Sequence, residues 1–220
     1  MNAFTWKETI AFSRIFEQGR RCIYLSKTYE YGNRPSFKKE RVVLEKIRLN
    51  TKNLKEQAKN LKAGDQVLLS GTVYTARDAA HKRIFALMEE GKSLPFAMEG
   101  AVIYYAGPTP TPEGMAIGSC GPTTSGRMDP FAPRLLDMGL AAMVGKGNRS
   151  QEVVDAIRRN GALYLCAIGG AGALAAQCVQ SLQVVAFDDL GCESVKRLEL
   201  CDLPLVVAID SKGNSLFSEI

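Results

Sequence analysis

Residues 162–177 read ALYLCAIGGAGALAAQ, and this stretch decides the fold class. An apolar run, ALYLCAIGG, ends in two adjacent glycines and gives way to an alanine-rich segment, AGALAAQCVQ. That is a buried strand turning through a glycine loop into a helix. The same rhythm recurs on both sides. Upstream, AVIYYAG, MAIGSC and LAAMVG read as strands, and FAPRLLDMG and SQEVVDAIRRNG as helices, with Pro130 near the first turn of one and Ser150 as N-cap of the other. Downstream, QVVAFDD reads as a strand, CESVKRLEL as a helix, and LPLVVAIDSKGN as a strand and turn. Nearer the start, QVLLSGTVY is a strand with Gly71 inside it, a sign of a bulge or close approach. It lies between a short helix carrying Leu54, Ala58 and Leu61, stopped by Gly64, and a longer helix carrying Ala80, Ile84, Leu87 and Met88, stopped by Gly91. Strands alternating with helices predict an α/β layer architecture.

The 220 residues suffice for one large domain, and the apolar fraction of 46% is ordinary for a globular protein. There is no run of eighteen apolar residues, so no transmembrane helix is expected, and Lys7, Glu8 and Arg14 interrupt any secretory signal. The net charge is +5, but residues 1–49 hold eleven Lys or Arg against five Asp or Glu, a balance of +6. The remainder carries −1, which argues against a nucleic-acid face built into the fold. Residues 1–44 are mixed in charge and aperiodic; they are expected to form a flexible extension, a targeting leader, or upstream sequence, with residues 45–220 as the ordered domain. Six cysteines show no C-x-x-C pair and no link to the single histidine, so neither a zinc site nor a cluster built from this chain alone is predicted. A reducing cytoplasm fits that usage.

Ligands of α/β folds gather at the carboxyl ends of strands, and four loops there carry candidate chemistry. In TARDAAH, Arg77 and His81 are four apart on the following helix and share a face. Arg77 falls in the first turn, against the helix dipole, which points to an anionic partner; an exposed arginine beside a solvated histidine is the plainer alternative. Asp78 and Lys82 have the spacing of a surface ion pair. In GPTTSGRMDP (121–130), Gly121, Thr123, Thr124, Ser125 and Arg127 supply hydroxyls, backbone N–H groups and a guanidinium fork suited to a small carboxylate or phosphate. An N-cap cluster would account for Asp129 but not for the Thr-Thr pair or the arginine. In GKGNRS, Lys146 lies between two glycines; the spacing fails for a P-loop but suits an anion contact. In IGGAGALAA, Gly170, Gly172 and Ala175 fit G-x-G-x-x-A, with Asp188 at the end of the next strand, the rival signal for a dinucleotide site.

Taken together, LSGTVYTARDAAHKR, YYAGPTP, GPTTSGRMD, VGKGNRS and ALYLCAIGGAGALAAQ resemble the class I fumarate hydratase and L-tartrate dehydratase family, in particular its β subunit, the C-terminal domain of single-chain members. The resemblance covers about residues 45–220. It implies a swivelling β/β/α fold and a partner α subunit carrying a [4Fe-4S] cluster, whose open iron acts as Lewis acid on the substrate. The implied reaction is the reversible addition of water to fumarate, on a dicarboxylate held in a higher-order hetero-oligomer, with no nucleic acid or membrane involved. Residue by residue, Thr123 resembles the family's proposed base, Arg77 and Arg127 its carboxylate clamps, and Lys146 a substrate contact. Gly121, Thr124 and His81 stand beside these as substrate-binding candidates. A threonine base needs an activating neighbour, and Lys146 or Asp129 could serve. The run ALYLCAIGGAGALAAQ is more similar to the fumarase side than to tartrate dehydratase.

Overall fold

A computed structural model describes residues 46–217. The expected extension, residues 1–44, lies outside the described residues. Twelve elements follow: β1 (Ile47–Asn50), α1 (Leu54–Ala58), β2 (Gln66–Thr75), α2 (Asp78–Glu89), β3 (Val102–Tyr104), α3 (Ala132–Asp137), β4 (Ala142–Gly145), α4 (Gln151–Asn160), β5 (Leu163–Cys166), α5 (Gly172–Ala176), β6 (Val179–Ala186) and β7 (Val195–Ile209). The α/β expectation holds. Strands β1 to β5 run parallel and in sequence order.

Parallel strands are covered on both faces, which is why they read as unbroken apolar runs rather than alternations. In β3, Val102 and Tyr104 enter one core cluster while Ile103 enters the other. In β5, Leu163 and Leu165 face the first cluster and Tyr164 the second. The second cluster is closed by helices, through Ala80 and Ile84 of α2, Leu135 and Leu136 of α3, and Val153, Ala156 and Ile157 of α4. Each of these Ile, Leu and Val side chains, fully buried, contributes about 1.5–3 kcal/mol. The α4 helix stops where Gly161 takes the left-handed conformation, φ 62°.

The first cluster takes Leu54 and Ala58 from α1 and Ala175 and Ala176 from α5, but its row of leucines comes from a strand, and here the expectation fails. CESVKRLEL is no helix: Val195 to Leu200 open a fifteen-residue strand, β7, that runs on through LPLVVAI. Leu198, Leu200, Leu203, Leu205 and Val207 all point into the first cluster. The spacing of two breaks once, at Asp202, whose backbone is left-handed (φ 52°). There Cys201 and Asp202 together oppose Ser70 in β2, a bulge. The expected irregularity at Gly71 is therefore real, but the extra residue belongs to β7. Ser70 Oγ accepts the Asp202 N–H at 2.9 Å and holds the kink.

β7 pairs antiparallel with β2 along most of its length, with β6 over its first half and with β5 over its last residues. The pairings run β2–β3–β4–β5–β7 and back to β2, so a ring closes among the described strands. The result is a helix layer, a parallel sheet and an antiparallel layer.

Smaller expectations shift. MAIGSC is a loop; Thr109 and Ser119 join it to the PTP segment through an N–H to C=O bond of 3.0 Å, and Ile117 and Cys120 are buried. Pro133, not Pro130, occupies the first turn of α3. Ser150 stands at the N-cap of α4 without a side-chain cap bond. No described helix is long and apolar enough to cross a membrane.

Candidate functional site

The carboxyl ends of four adjacent parallel strands deliver the candidate residues. β2 ends two residues before Arg77, β3 leads into Tyr105 and Gly107, β4 into Lys146, and β5 into Gly169. The GPTTSGR loop is stitched across them. The Thr123 N–H donates to the Tyr105 carbonyl at 2.7 Å, and the Ser125 N–H to the Lys146 carbonyl at 2.9 Å. The Lys146 N–H donates to Ser125 Oγ at 3.1 Å, and that hydroxyl lies 2.9 Å from the Tyr164 hydroxyl. Thr124 bridges to Lys146 backbone to backbone. The Lys146 side chain lies over Gly169, where a Cβ would stand 3.7 Å from its Cδ. The side chains of Thr123 and Lys146 make no hydrogen bond or ion pair among the described residues.

The helix α5 meets this loop backbone to backbone. A Cβ on Gly172 would come within 3.0 Å of Gly121 N and 3.2 Å of its Cα, and the Cys120 N–H donates to the Gly172 carbonyl at 3.0 Å. This contact answers the dinucleotide reading. The glycine serves close packing, α5 has five residues, and β6 pairs antiparallel with β7 rather than continuing a parallel unit after β5. Asp188 opens a tight turn after Phe187 instead of closing a parallel strand.

Arg77 is not in the first turn of α2 but at its N-cap, with an extended backbone. Its side chain lies against Gly107, where a Cβ would meet Nη1 at 2.9 Å. An anionic partner is present within the chain: Glu193 Oε1 is 3.3 Å from Arg77 Nη2. The other Glu193 oxygen accepts the Ala79 N–H at 3.1 Å. Asp78 does not reach Lys82. It turns to the GPTTSGR loop, where Oδ1 accepts from Arg127 Nε at 2.9 Å, while Oδ2 stands 4.0 Å from Arg77 Nη2. Arg77 and Arg127 are thus brought together by one carboxylate.

His81 shares no open face with Arg77. It is fully buried, with Nδ1 2.8 Å from the Arg77 carbonyl and its ring against Tyr105 and Phe131. Burial holds its pKa down at about 4, so it is neutral at ordinary pH. A solvated histidine is ruled out, and a substrate contact through this ring has no exposed atom to use. Asp129 is spent elsewhere too. Its oxygens accept from Arg149 Nε at 2.6 Å and from the Ser150 N–H at 2.7 Å, which ties it to the start of α4.

Arg149 escaped the sequence reading. Its side chain is fully buried against Tyr105 and Tyr164 and pairs with Asp129 behind the loop. Burial works against its charge, and Tyr105 and Asp129 more than offset that. The signal was available: a cation just before a helix N-terminus opposes the dipole, the argument applied to Arg77. Glu193 was hidden inside the segment misread as a helix.

The face is not an enclosed cavity. Thr124, Gly126 and Arg127 are exposed, and two surface clefts of about 410 and 390 Å³ share no lining residue with it. Among the described residues no grouping of three or more His, Cys, Asp or Glu could hold a metal ion, and the described cysteines are all free and scattered. These residues do not fit a [4Fe-4S] cluster.

Residues 24–220 match the model of the fumarase C-terminus family. The chain belongs to that family. The fumarase C-terminus match starts upstream of residue 45, inside the segment that the sequence reading sets apart as an extension. The chain is 42% identical to fumarate hydratase 2 of Leishmania major over 76% of its own length and 30% of that protein's. It is 41% identical to the aerobic class I fumarate hydratase of Escherichia coli K12, covering 77% of this chain and 31% of that one. To a protein of Methanocaldococcus jannaschii assigned as an L(+)-tartrate dehydratase subunit beta it is 40% identical, over 76% of this chain and 88% of the relative. The chain therefore spans about a third of the length of these fumarate hydratases and most of the tartrate dehydratase subunit.

Proposed function

We propose that this chain is the β-type half of a hydro-lyase that interconverts fumarate and malate, and that it works with a separate α subunit. The observation that carries the reading is the gathering of Arg77, Arg127, Lys146 and Thr123 on loops stitched across the ends of β2 to β5. Three cations on one face suit a dicarboxylate. Arg77 and Arg127 clamp its carboxylates, with Gly121 and Thr124 shaping the loop between them. Thr123 transfers the proton. A hydroxyl ionises too weakly for this by itself, and the positive charge of Lys146 is the group on this chain that can favour its alkoxide. The [4Fe-4S] cluster belongs to the α subunit in this reading, and the complex is a higher-order hetero-oligomer of a reducing cytoplasm. Exposed Ile168 and Leu174, on either side of the Gly169–Gly172 loop, suit a surface covered by such a partner.

L-tartrate dehydration is the second reading. It is supported by the 40% identity to the Methanocaldococcus jannaschii protein assigned as an L(+)-tartrate dehydratase subunit beta.

The test is an anaerobic assay of fumarate hydration and tartrate dehydration, with the chain alone and then combined with an α-type protein carrying a reconstituted cluster. Activity in the combination only is expected, and the preferred diacid names the enzyme. In that complex Thr123→Ala should lower kcat about 100-fold or more with KM largely kept. Near-normal turnover would remove Thr123 from the chemistry. Full activity of Arg127→Ala would reduce this chain to a docking subunit.

A further inference from the structure

The two arginines assigned to the substrate are not free cations waiting in solvent. Each already has a carboxylate of this chain. Arg127 donates its Nε to Asp78, and Arg77 directs Nη2 to Glu193, with Asp78 Oδ2 4.0 Å away on the other side. The order Glu193, Arg77, Asp78, Arg127 is a row of alternating charge whose sum is zero. Asp78 stands between the two guanidiniums, hydrogen-bonded to Arg127 and 4.0 Å from Arg77.

The row is fixed at each acidic position. Asp78 opens α2, and its Oδ2 is buried with no hydrogen-bond partner. Glu193 belongs to the tight turn Asp188–Glu193 and also accepts the Ala79 N–H of α2. That turn is gripped by a second buried cation. Lys196 Nζ donates to the Gly191 carbonyl at 2.8 Å and to the Cys192 carbonyl at 3.2 Å, and it bonds Ser194 Oγ at 2.6 Å. The Cys192 carbonyl in turn lies against the Gly107 that carries the Arg77 guanidinium.

What each arginine has left over follows from its donors. With Nε held by Asp78, Arg127 keeps both terminal nitrogens, the end-on fork that grips a carboxylate in two places. Arg127 is half exposed, at 51%, and Arg77 is 20% exposed. The acidic row therefore orients the guanidiniums and leaves one edge of Arg127 open.

We infer that Asp78 is a positioning residue for the substrate clamp: it sets the separation and aim of Arg77 and Arg127, with Glu193 steadying Arg77 from the far side. This rests on the reading of these arginines as carboxylate clamps.

The inference predicts a sign that simple electrostatics does not. Asp78→Asn removes a negative charge beside the site of a dianion, so Coulomb's law alone would tighten substrate binding and lower KM. Positioning demands the reverse. An asparagine can accept from Arg127 with its oxygen, but it must then turn an NH₂ donor toward Arg77. Two donors face each other, and the pair splays.

The experiment is steady-state kinetics of the assembled wild-type, Asp78→Asn and Glu193→Gln enzymes on fumarate and malate, with a thermal melt of each. Asp78→Asn should raise KM about tenfold with kcat changed less than KM. Glu193→Gln should move KM the same way by less. A KM that falls, or stays the same, in Asp78→Asn overturns the inference, as does a loss confined to kcat. If Asp78→Asn does not assemble, an unchanged KM in Glu193→Gln overturns it instead. An inactive wild-type complex would count against the clamp reading itself, which keeps the two failures apart.

Discussion

Burial holds the His81 imidazole neutral, with its pKa pressed down to about 4 from an unfolded value of 6.5. Above pH 6.5 both folded and unfolded chains carry it uncharged, and its contribution to stability is intact. Between 6.5 and 4 the unfolded chain takes up a proton that the fold refuses, so stability falls as pH falls. The loss reaches about 3 kcal/mol once the pH is below both values. The measurement is denaturant unfolding across that window, and His81→Gln should flatten the slope. At this scale the sequence was legible where charge demanded an explanation and silent where burial decided the matter. Arg77 stood out as a cation at a helix start, and Arg127 and Lys146 as cations on glycine-rich loops. Nothing in TARDAAH says that His81 turns inward onto Tyr105 and Phe131, or that Asp78 turns away from Lys82 to Arg127. Those are facts about neighbours remote in sequence.

Gly172 shows how an element can be read with the wrong purpose. It stood in a glycine pattern that suggested a pyrophosphate, yet its missing side chain is what lets α5 touch Gly121. Gly172→Ala forces the backbones apart and should cost about 1–3 kcal/mol, seen as a lower urea midpoint at constant slope, with the loss carried into the GPTTSGR loop. An unchanged midpoint would mean that the two loops slide freely past one another. β2, α2 and α4 read correctly from their period, and β3, β4 and β5 because strands buried on both faces read as unbroken apolar runs. β7 misled for a physical reason. Leu198 and Leu200 alternate as a strand should, but the bulge at Asp202 resets the phase before Leu203 and Leu205. A charged, half-apolar segment cut at its bulge resembles a helix followed by a short strand.

The ring of strands is held shut by β7, the strand contacted by β2, β5 and β6 together. Its leucines form one wall of the first core cluster. Truncating the fully buried Leu198 to alanine should therefore destabilise the whole domain by about 2–5 kcal/mol in one cooperative transition, followed by circular dichroism and tryptophan-independent probes alike. A split transition would show that the antiparallel layer melts separately. The α/β class was legible in the sequence because alternation survives any detail of closure. The ring was not, because Gln66 and Val206 pair across some 140 residues, and no local pattern reports such a partner.

That pairing has a consequence during synthesis. β7 follows every other strand among the described residues, so a ribosome must release it before β2 can be covered along that edge. Until Leu205 and Val207 emerge, Val67, Leu69 and Val73 lack that side of their cluster. Contacts this distant form late and slowly. The nascent protein thus spends most of its birth as an open, sticky trough, and its yield in a cell depends on whatever shields that trough until the last strand arrives.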